Sequence, residues 1–295
     1  MYRNKVSYWV LVILIQLSRL ISEKRLYIIA NWIVRTRYQR SDKKIETVDQ
    51  NISIAFGELT QEDKELFIEV YLRHHATTAV EMLLLLTDRF DLKSRIIDYD
   101  ESAQKLKYIA KSANPNGAIF LTAHYGNWEL LGVFTGEIGL PMSIVRKTMR
   151  NPLIYERIIT PFRTKYGHRE YERKGALKGI VSGLKQGYPV GLLIDEMIPP
   201  PNGVQVDFFS QKAYTLKSIA QLKRKYDPKI VCVFIERTEE GLFEIHIDEE
   251  NYPQKEQLDE ETEIQAITQF YTTKLEMQIR KNPIQWQWMY DRWRK

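Results

Sequence analysis

The chain has 295 residues, of which 44% are hydrophobic, 12% aromatic and 27% charged, an ordinary globular composition that excludes a disordered, collagenous or disulfide-stapled protein. Its one cysteine, Cys232, has no intrachain partner and no cluster for zinc, which points to a reducing compartment. The net charge of +5 is unevenly placed, because residues 1 to 45 hold ten Lys/Arg against Glu23 and Asp42 while the other 250 residues sum to −3; such a start suits nucleic acid or an anionic bilayer.

The first predicted element decides for the bilayer. Val6 to Ser18 carries no charge and is bracketed by Arg3 and Lys5 on one side and Arg19 on the other. A simple span needs about 20 apolar residues. Arg19 ends the run early, and a second apolar stretch, Leu26 to Val34, starts only after Glu23, Lys24 and Arg25. Residues 1–45 therefore read as a membrane-inserted or interfacial helical segment, with Trp9, Tyr27 and Trp32 suited to the headgroup level. A cleaved signal peptide is disfavoured because no small-x-small site follows Leu17; an ordinary buried first helix is the bland alternative.

Residues 46–295 read as the main domain. Ile45, Val48, Ile52 and Phe56 recur at helical spacing, and Gly57 is placed to stop that helix. A second helix starts at Thr60, whose spacing to Asp63 is that of a capping box, and continues its apolar face through Leu66, Phe67, Val70, Tyr71, Val80, Leu83 and Leu84. From Gly117 onward the pattern alternates. Strands are predicted at Ala118 to Ala123, Met142 to Val145, Val190 to Ile194, Val204 to Phe208, Ile230 to Ile235 and Leu242 to Ile247. Helices are predicted at Trp128 to Ile138, Pro152 to Tyr166, Ala176 to Gln186, Leu216 to Lys225 and Glu261 to Arg280. The fold class is α/β, a central mixed sheet flanked by helices.

Several chemistries are absent by inspection. Gly179 to Gly183 reads GIVSG, with Ser182 one place late for a nucleophile elbow. There is no Walker loop, no dinucleotide fingerprint and no H-E-x-x-H. Of five histidines, only His124 directly follows a predicted apolar strand.

That strand opens AIFLTAHYGNWELL, Ala118 to Leu131. On a continuous helix His124 and Glu129 would point about 140° apart, but Gly126 permits a turn and Asn127 is a good N-cap, which puts Glu129 in the first turn of the next helix. A histidine at a strand end can then meet a carboxylate favoured by a helix N-terminus. The pair reads as a general base, His124, and its orienting partner, Glu129. The alternative is a histidine that only bonds the turn and a glutamate that only complements the helix dipole.

The chain resembles the late acyltransferases of lipid A biosynthesis, within the wider glycerolipid acyltransferase group. The resemblance covers most of the chain and rests on TAHYGNWELLG (Thr122 to Gly132), SIVRKTMRNP, GLLIDE, VDFFSQKAYT and the ending PIQWQWMYDRWRK. It implies that His124 and Glu129 are the catalytic dyad of H-x-x-x-x-[DE], and that a fatty acyl chain moves from acyl carrier protein to a hydroxyl of a lipid A precursor or related glycolipid at the cytoplasmic face of the inner membrane. No metal or other cofactor is implied, and nucleic acid is not a partner. Two positions depart from the pattern. Asp195-Glu196 stands where Asp-Gln is usual, and Ser210 where glycine is more common, which touches the acceptor's identity more than the reaction.

Residues 146 to 174 hold nine Lys/Arg against three glutamates, a segment suited to phosphate. Arg146, which ends a predicted strand and matches a site arginine of the family, is expected to bind substrate, as are Asp195 and Asn127. Asp195 ends an apolar strand, where sites in α/β sheets gather; a turn residue before the prolines is its bland alternative. Phe208 and Phe209 suit an acyl channel or the core, and Trp286, Trp288, Tyr290 and Trp293 a membrane interface or packing against the domain. The functional alternatives are acylation of an aminolipid or lysophospholipid, and a catalytically silent lipid-binding membrane protein.

Overall fold

The computed structural model describes every residue except 1, 38–42, 147–149, 174, 254–257 and 295. In chain order the elements are α1 (Tyr2–Ser18), α2 (Glu23–Arg37), α3 (Lys43–Phe56), α4 (Gln61–Leu86), α5 (Leu92–Arg95), α6 (Tyr99–Ser112), β1 (Ala118–Thr122), α7 (Trp128–Glu137) and β2 (Ser143–Arg146). There follow α8 (Pro152–Ile154), a π-helical turn (Tyr155–Ile159), α9 (Thr160–Thr164), β3 (Arg169–Glu172), α10 (Ala176–Lys185), β4 (Val190–Leu193), β5 (Gly203–Phe208) and β6 (Gln211–Leu216). The chain closes with α11 (Ser218–Tyr226), β7 (Lys229–Arg237), β8 (Phe243–Asp248), α12 (Glu260–Lys281) and a short 3-10 turn at Pro283–Gln285.

Among the described residues the central sheet has six strands in the order β3-β2-β4-β1-β7-β8. Every pairing is parallel except β7 with β8. The sheet is thus mixed, as expected, and a separate antiparallel hairpin, β5-β6, sits beside it. Period-two alternation splits β1 and β7 between two apolar layers. Ile119, Leu121, Ile230, Cys232 and Phe234 join one core with residues of α3, α4, α10, α11 and α12. Phe120, Val231, Val233 and Ile235 join the other with residues of α4, α6 and α7.

The two early helices form as their patterns predict. Val48 and Ile52 of α3 are fully buried, and the Thr60 side chain accepts the Asp63 amide at 3.1 Å to cap α4. Two strands went unpredicted. β3 reads REYE, an edge strand too charged to show an apolar period. β6 turns back from β5 through Phe209 and Ser210, both at positive φ, with none of the Asn-Gly or Asp-Gly chemistry that marks a tight hairpin. The single helix expected over Pro152 to Tyr166 is interrupted by the π turn, with Pro161 just beyond it where an amide donor is missing.

α1 and α2 fold back on the domain at an angle set by specific contacts. Arg89 donates to the carbonyls of Ser18 at 2.5 Å and Ile21 at 3.0 Å, Glu23 pairs with Arg95 at 2.6 Å, and Asn151 donates to the Asn4 carbonyl at 2.8 Å. Leu26 is buried in the same core as Val80 and Leu84 of α4. The opposite face is uncovered. Trp9 is 58% and Trp32 65% exposed, and Val6, Val10, Ile13, Leu14, Leu17, Ile28 and Ile33 are exposed with them. No helix among the described residues is long and apolar enough to cross a membrane.

Candidate active site

The parallel strands β2, β4 and β1 all end on one edge of the sheet, so Arg146, Asp195 and His124 gather at their carboxyl ends, the usual crevice of such sheets. His124 lies two residues past β1 and Asp195 two past β4, on adjacent strands. Nδ1 of His124 lies 2.9 Å from Oδ1 of Asp195, and the backbone amide of His124 donates to Oδ2 at 2.8 Å. The carboxylate fixes the imidazole with its proton on Nδ1, which leaves Nε2 as the free lone pair.

In this geometry the carboxylate that holds His124 is Asp195, and not Glu129 as the spacing suggested. Glu129 does begin α7, but its carboxylate takes a 2.6 Å ion pair from Arg163, which also reaches Glu170 at 3.1 Å. Glu129 therefore acts on His124 through space. Burial opposes the charged imidazole, yet Asp195, with smaller contributions from Glu196 and Glu129, holds the His124 pKa above its ordinary value. Asp195 is itself fully enclosed, which by itself would raise its pKa, but His124 and the donors around it keep it below the usual carboxylate value and ionised.

The turn after His124 is built by close backbone approach. Gly126 has φ +61°, and a Cβ there would lie 1.9 Å from the Ile235 carbonyl oxygen. The chain end runs along this turn: Gly126 donates to Gln285 at 2.9 Å and Gln287 to the His124 carbonyl at 3.0 Å. Trp286 and Trp288 are consequently buried, so packing, the second of the two expectations for the tail, holds for them. Phe208 and Phe209 lie in the same core, edge-on to Trp286 and Trp288. Ser210 has φ +58°, a conformation that glycine adopts without strain.

Asn127 occupies the N-cap position of α7 without making a side-chain cap. It is 0% exposed, and its amide donates to Oε2 of Glu81 at 2.8 Å, which turns it toward the interior and away from the open side of the turn where substrate contact was expected. Glu81 in turn is gripped through two oxygens by Arg237 at 2.8 and 2.5 Å, and Arg237 also donates to His74 at 2.7 Å. Burial and the Arg237 charge push the His74 pKa down to about 2, so it is a neutral acceptor. His168 is equally structural, bridging the Met142 amide and the Gly132 carbonyl.

The amides of His124, Tyr125 and Gly126 are engaged by Asp195, Ala123 and Gln285, which removes them as donors to an oxyanion. Arg146 stacks 4.2 Å over the Tyr155 ring and pairs with Glu172 at 2.7 Å. It stands two strands from β1, roughly 10 Å across the sheet. Lys147 and Lys174 of the basic segment lie outside the described residues. The sequence pattern placed Arg163 only in the basic segment, and Trp286 and Tyr290 only among the tail aromatics; the Tyr290 ring lies parallel to that of His124 at 6.2 Å, and Trp128 meets the His124 ring edge-on at 4.8 Å.

The pattern of the family described as bacterial lipid A biosynthesis acyltransferase matches residues 2–295. The chain belongs to that family. Among curated relatives, the lipid A biosynthesis acyltransferase 2 of Shigella flexneri is 23% identical over 209 residues, 70% of this chain and 63% of that protein. The lipid A biosynthesis myristoyltransferase of Escherichia coli (strain K12) is 22% identical over 185 residues, 62% of this chain and 56% of its own length. The chain thus spans less than two-thirds of the relatives it matches. Membership of the family agrees with the resemblance read from the HYGNWE segment.

Proposed function

We propose that this protein is a membrane-associated O-acyltransferase that moves a fatty acyl chain from the thioester of acyl carrier protein to a hydroxyl of a lipid A precursor or related glycolipid, at the cytoplasmic face of the inner membrane. The observation that carries the reading is a single hydrogen bond. Asp195 holds Nδ1–H of His124 and leaves Nε2 unprotonated, in a ring that is still partly exposed.

Nε2 takes the proton of the acceptor hydroxyl as its oxygen attacks the thioester carbonyl carbon. The tetrahedral adduct collapses with cleavage of the C–S bond, and the departing sulfur takes the proton back from Nε2. Asp195 orients the ring and stabilises the imidazolium throughout. Glu129, fixed by Arg163, adds a second negative charge, and Arg146 holds an anionic group of a substrate at the neighbouring strand end. Residues 1–45 bring the site to the lipid through the apolar face of α1 and α2.

The test is direct. Purified protein is given acyl-[acyl carrier protein] and a lipid A precursor in anionic vesicles, and the lipids are weighed by mass spectrometry. A mass gain of one acyl chain, lost in His124→Ala, is the expected result; turnover by His124→Ala at the wild-type rate overturns the mechanism.

A further inference from the structure

Tyr290, whose ring lies parallel to that of His124, forms part of the wall of a cavity of about 360 Å³ that Glu196 also lines. That volume suits a small polar headgroup. The remaining wall brings together Arg173, Glu196, Met197, Asp291 and Arg294, two cations and two anions around an apolar strip.

The charges are not equivalent. Arg173 and Glu196 lie 3.7 Å apart and largely cancel each other. Asp291 and Arg294, both exposed, make no hydrogen bond or ion pair with any other described residue. A ligand entering this cavity therefore meets one carboxylate and one guanidinium that have no partner among the described residues. A bare phosphate would gain from Arg294 but be opposed by Asp291. An isolated ammonium would meet the reverse. A head that carries both an oxyanion and an ammonium satisfies both ends, with its carbon skeleton against Met197.

We infer that this cavity receives the head of the acyl acceptor, and that among the glycolipids of the reading above the acceptor is one with a zwitterionic head, its oxyanion toward Arg294 and its ammonium toward Asp291. The inference rests on the reading of His124 as the base, since it is Tyr290 that joins the cavity to that ring.

The test separates binding from turnover. The full chain carrying His124→Ala is titrated with O-phosphoethanolamine, serine, inorganic phosphate and ethanolamine, and calorimetry gives each affinity. Both zwitterions should bind about 5-fold more tightly than either single-charge probe, the upper end for an exposed ion pair. Adding Asp291→Asn should bring the O-phosphoethanolamine to phosphate ratio to about one, and adding Arg294→Gln should do the same to its ratio with ethanolamine. Which zwitterion binds better assigns the oxyanion as phosphate or carboxylate. Equal affinities for all four probes, no binding of any, or ratios unmoved by both substitutions overturn the inference. Acyl transfer by the wild-type chain is measured separately, so loss of that activity counts against the proposed reaction and not against the cavity.

Discussion

Trp286 donates its indole N–H to the Asp195 oxygen that also receives the His124 amide, at 3.0 and 2.8 Å. The other oxygen of the same carboxylate holds Nδ1 of His124 at 2.9 Å. A carboxylate enclosed by protein survives ionised only when donors surround it. Here one comes from the strand-end turn, one from the ring it orients and one from the last segment of the chain. The carboxylate therefore joins β4, the turn after β1 and the tail.

Asp195→Asn tests the orientation. The amide can present its NH₂ to Nδ1 and so favour the wrong tautomer; kcat should fall by about 10²- to 10⁴-fold. The pH profile has a definite sign. A base works unprotonated, so kcat/KM falls on the acid side below the His124 pKa, which Asp195 raises against the burial that lowers it. Without that charge burial dominates, and the acid limb should move to lower pH. A limb that stays in place would show that Asp195 does not set the basicity of His124.

Trp286→Phe tests the tail's contribution. Phenylalanine keeps most of the ring volume and removes the donor, leaving Oδ2 with one hydrogen bond fewer. A hydrogen bond to a charged group contributes about 1.5–3 kcal/mol, so the melting temperature should fall. The Asp195 pKa should rise, and acid unfolding should begin at higher pH. The sign follows from the depressed pKa of Asp195: its stability is present above the unfolded carboxylate pKa and is lost as pH falls through the folded one. Equal acid midpoints for the two proteins would remove Trp286 from the account.

Glu129→Gln separates the two carboxylates. Glu129 is tied to Arg163 and reaches His124 only through space. Its loss should lower kcat by about 10- to 100-fold and shift the acid limb less than Asp195→Asn does. Arg163→Gln should give a smaller loss, because the carboxylate remains but is no longer fixed. Identical pH profiles for Glu129→Gln and Asp195→Asn would mean that both carboxylates hold the ring together.

Much of this arrangement is legible in the sequence, and the rest is not for physical reasons. All six predicted strands form, because each is a short apolar or alternating run bounded by turn residues, and His124 falls at a strand end where chemistry gathers. The contact it makes is not legible. Spacing suggested Glu129, five residues away, but parallel pairing places β4 beside β1 and brings Asp195 in from 71 residues away. Strand order is not written in local pattern. The same holds for Asn127, whose burial depends on Glu81 and Arg237 arriving from α4 and β7. The tail aromatics were ambiguous because amphipathic rings suit both a bilayer edge and a core. Arg292, fully buried with its guanidinium on the Tyr214 carbonyl and Thr215, shows how completely that segment is enclosed.

The exposed face of α1 and α2 gives the last prediction. Deleting both helices would strip Leu26 from its partners on α4 and confound binding with folding. Surface substitutions avoid this: Trp9, Ile13 and Trp32 each expose more than half of their surface, and Trp9 and Ile13 share one helical face. Trp9→Ser combined with Ile13→Ser should leave the melting temperature nearly unchanged and weaken sedimentation with anionic vesicles by at least about 10-fold, since each inserted side chain contributes about 1.5–3 kcal/mol. Arg3, Lys5, Arg19, Lys24 and Arg25 are exposed on the same two helices and the turn between them. Their attraction to anionic lipid is screened by salt, whereas the apolar contribution is not. Raising the salt to 1 M, where the Debye length is about 3 Å, should therefore release less wild-type protein than the double substitution does. Complete release of the wild type by salt would mean that the charges alone hold the protein to the surface and that the exposed tryptophans stay outside the lipid.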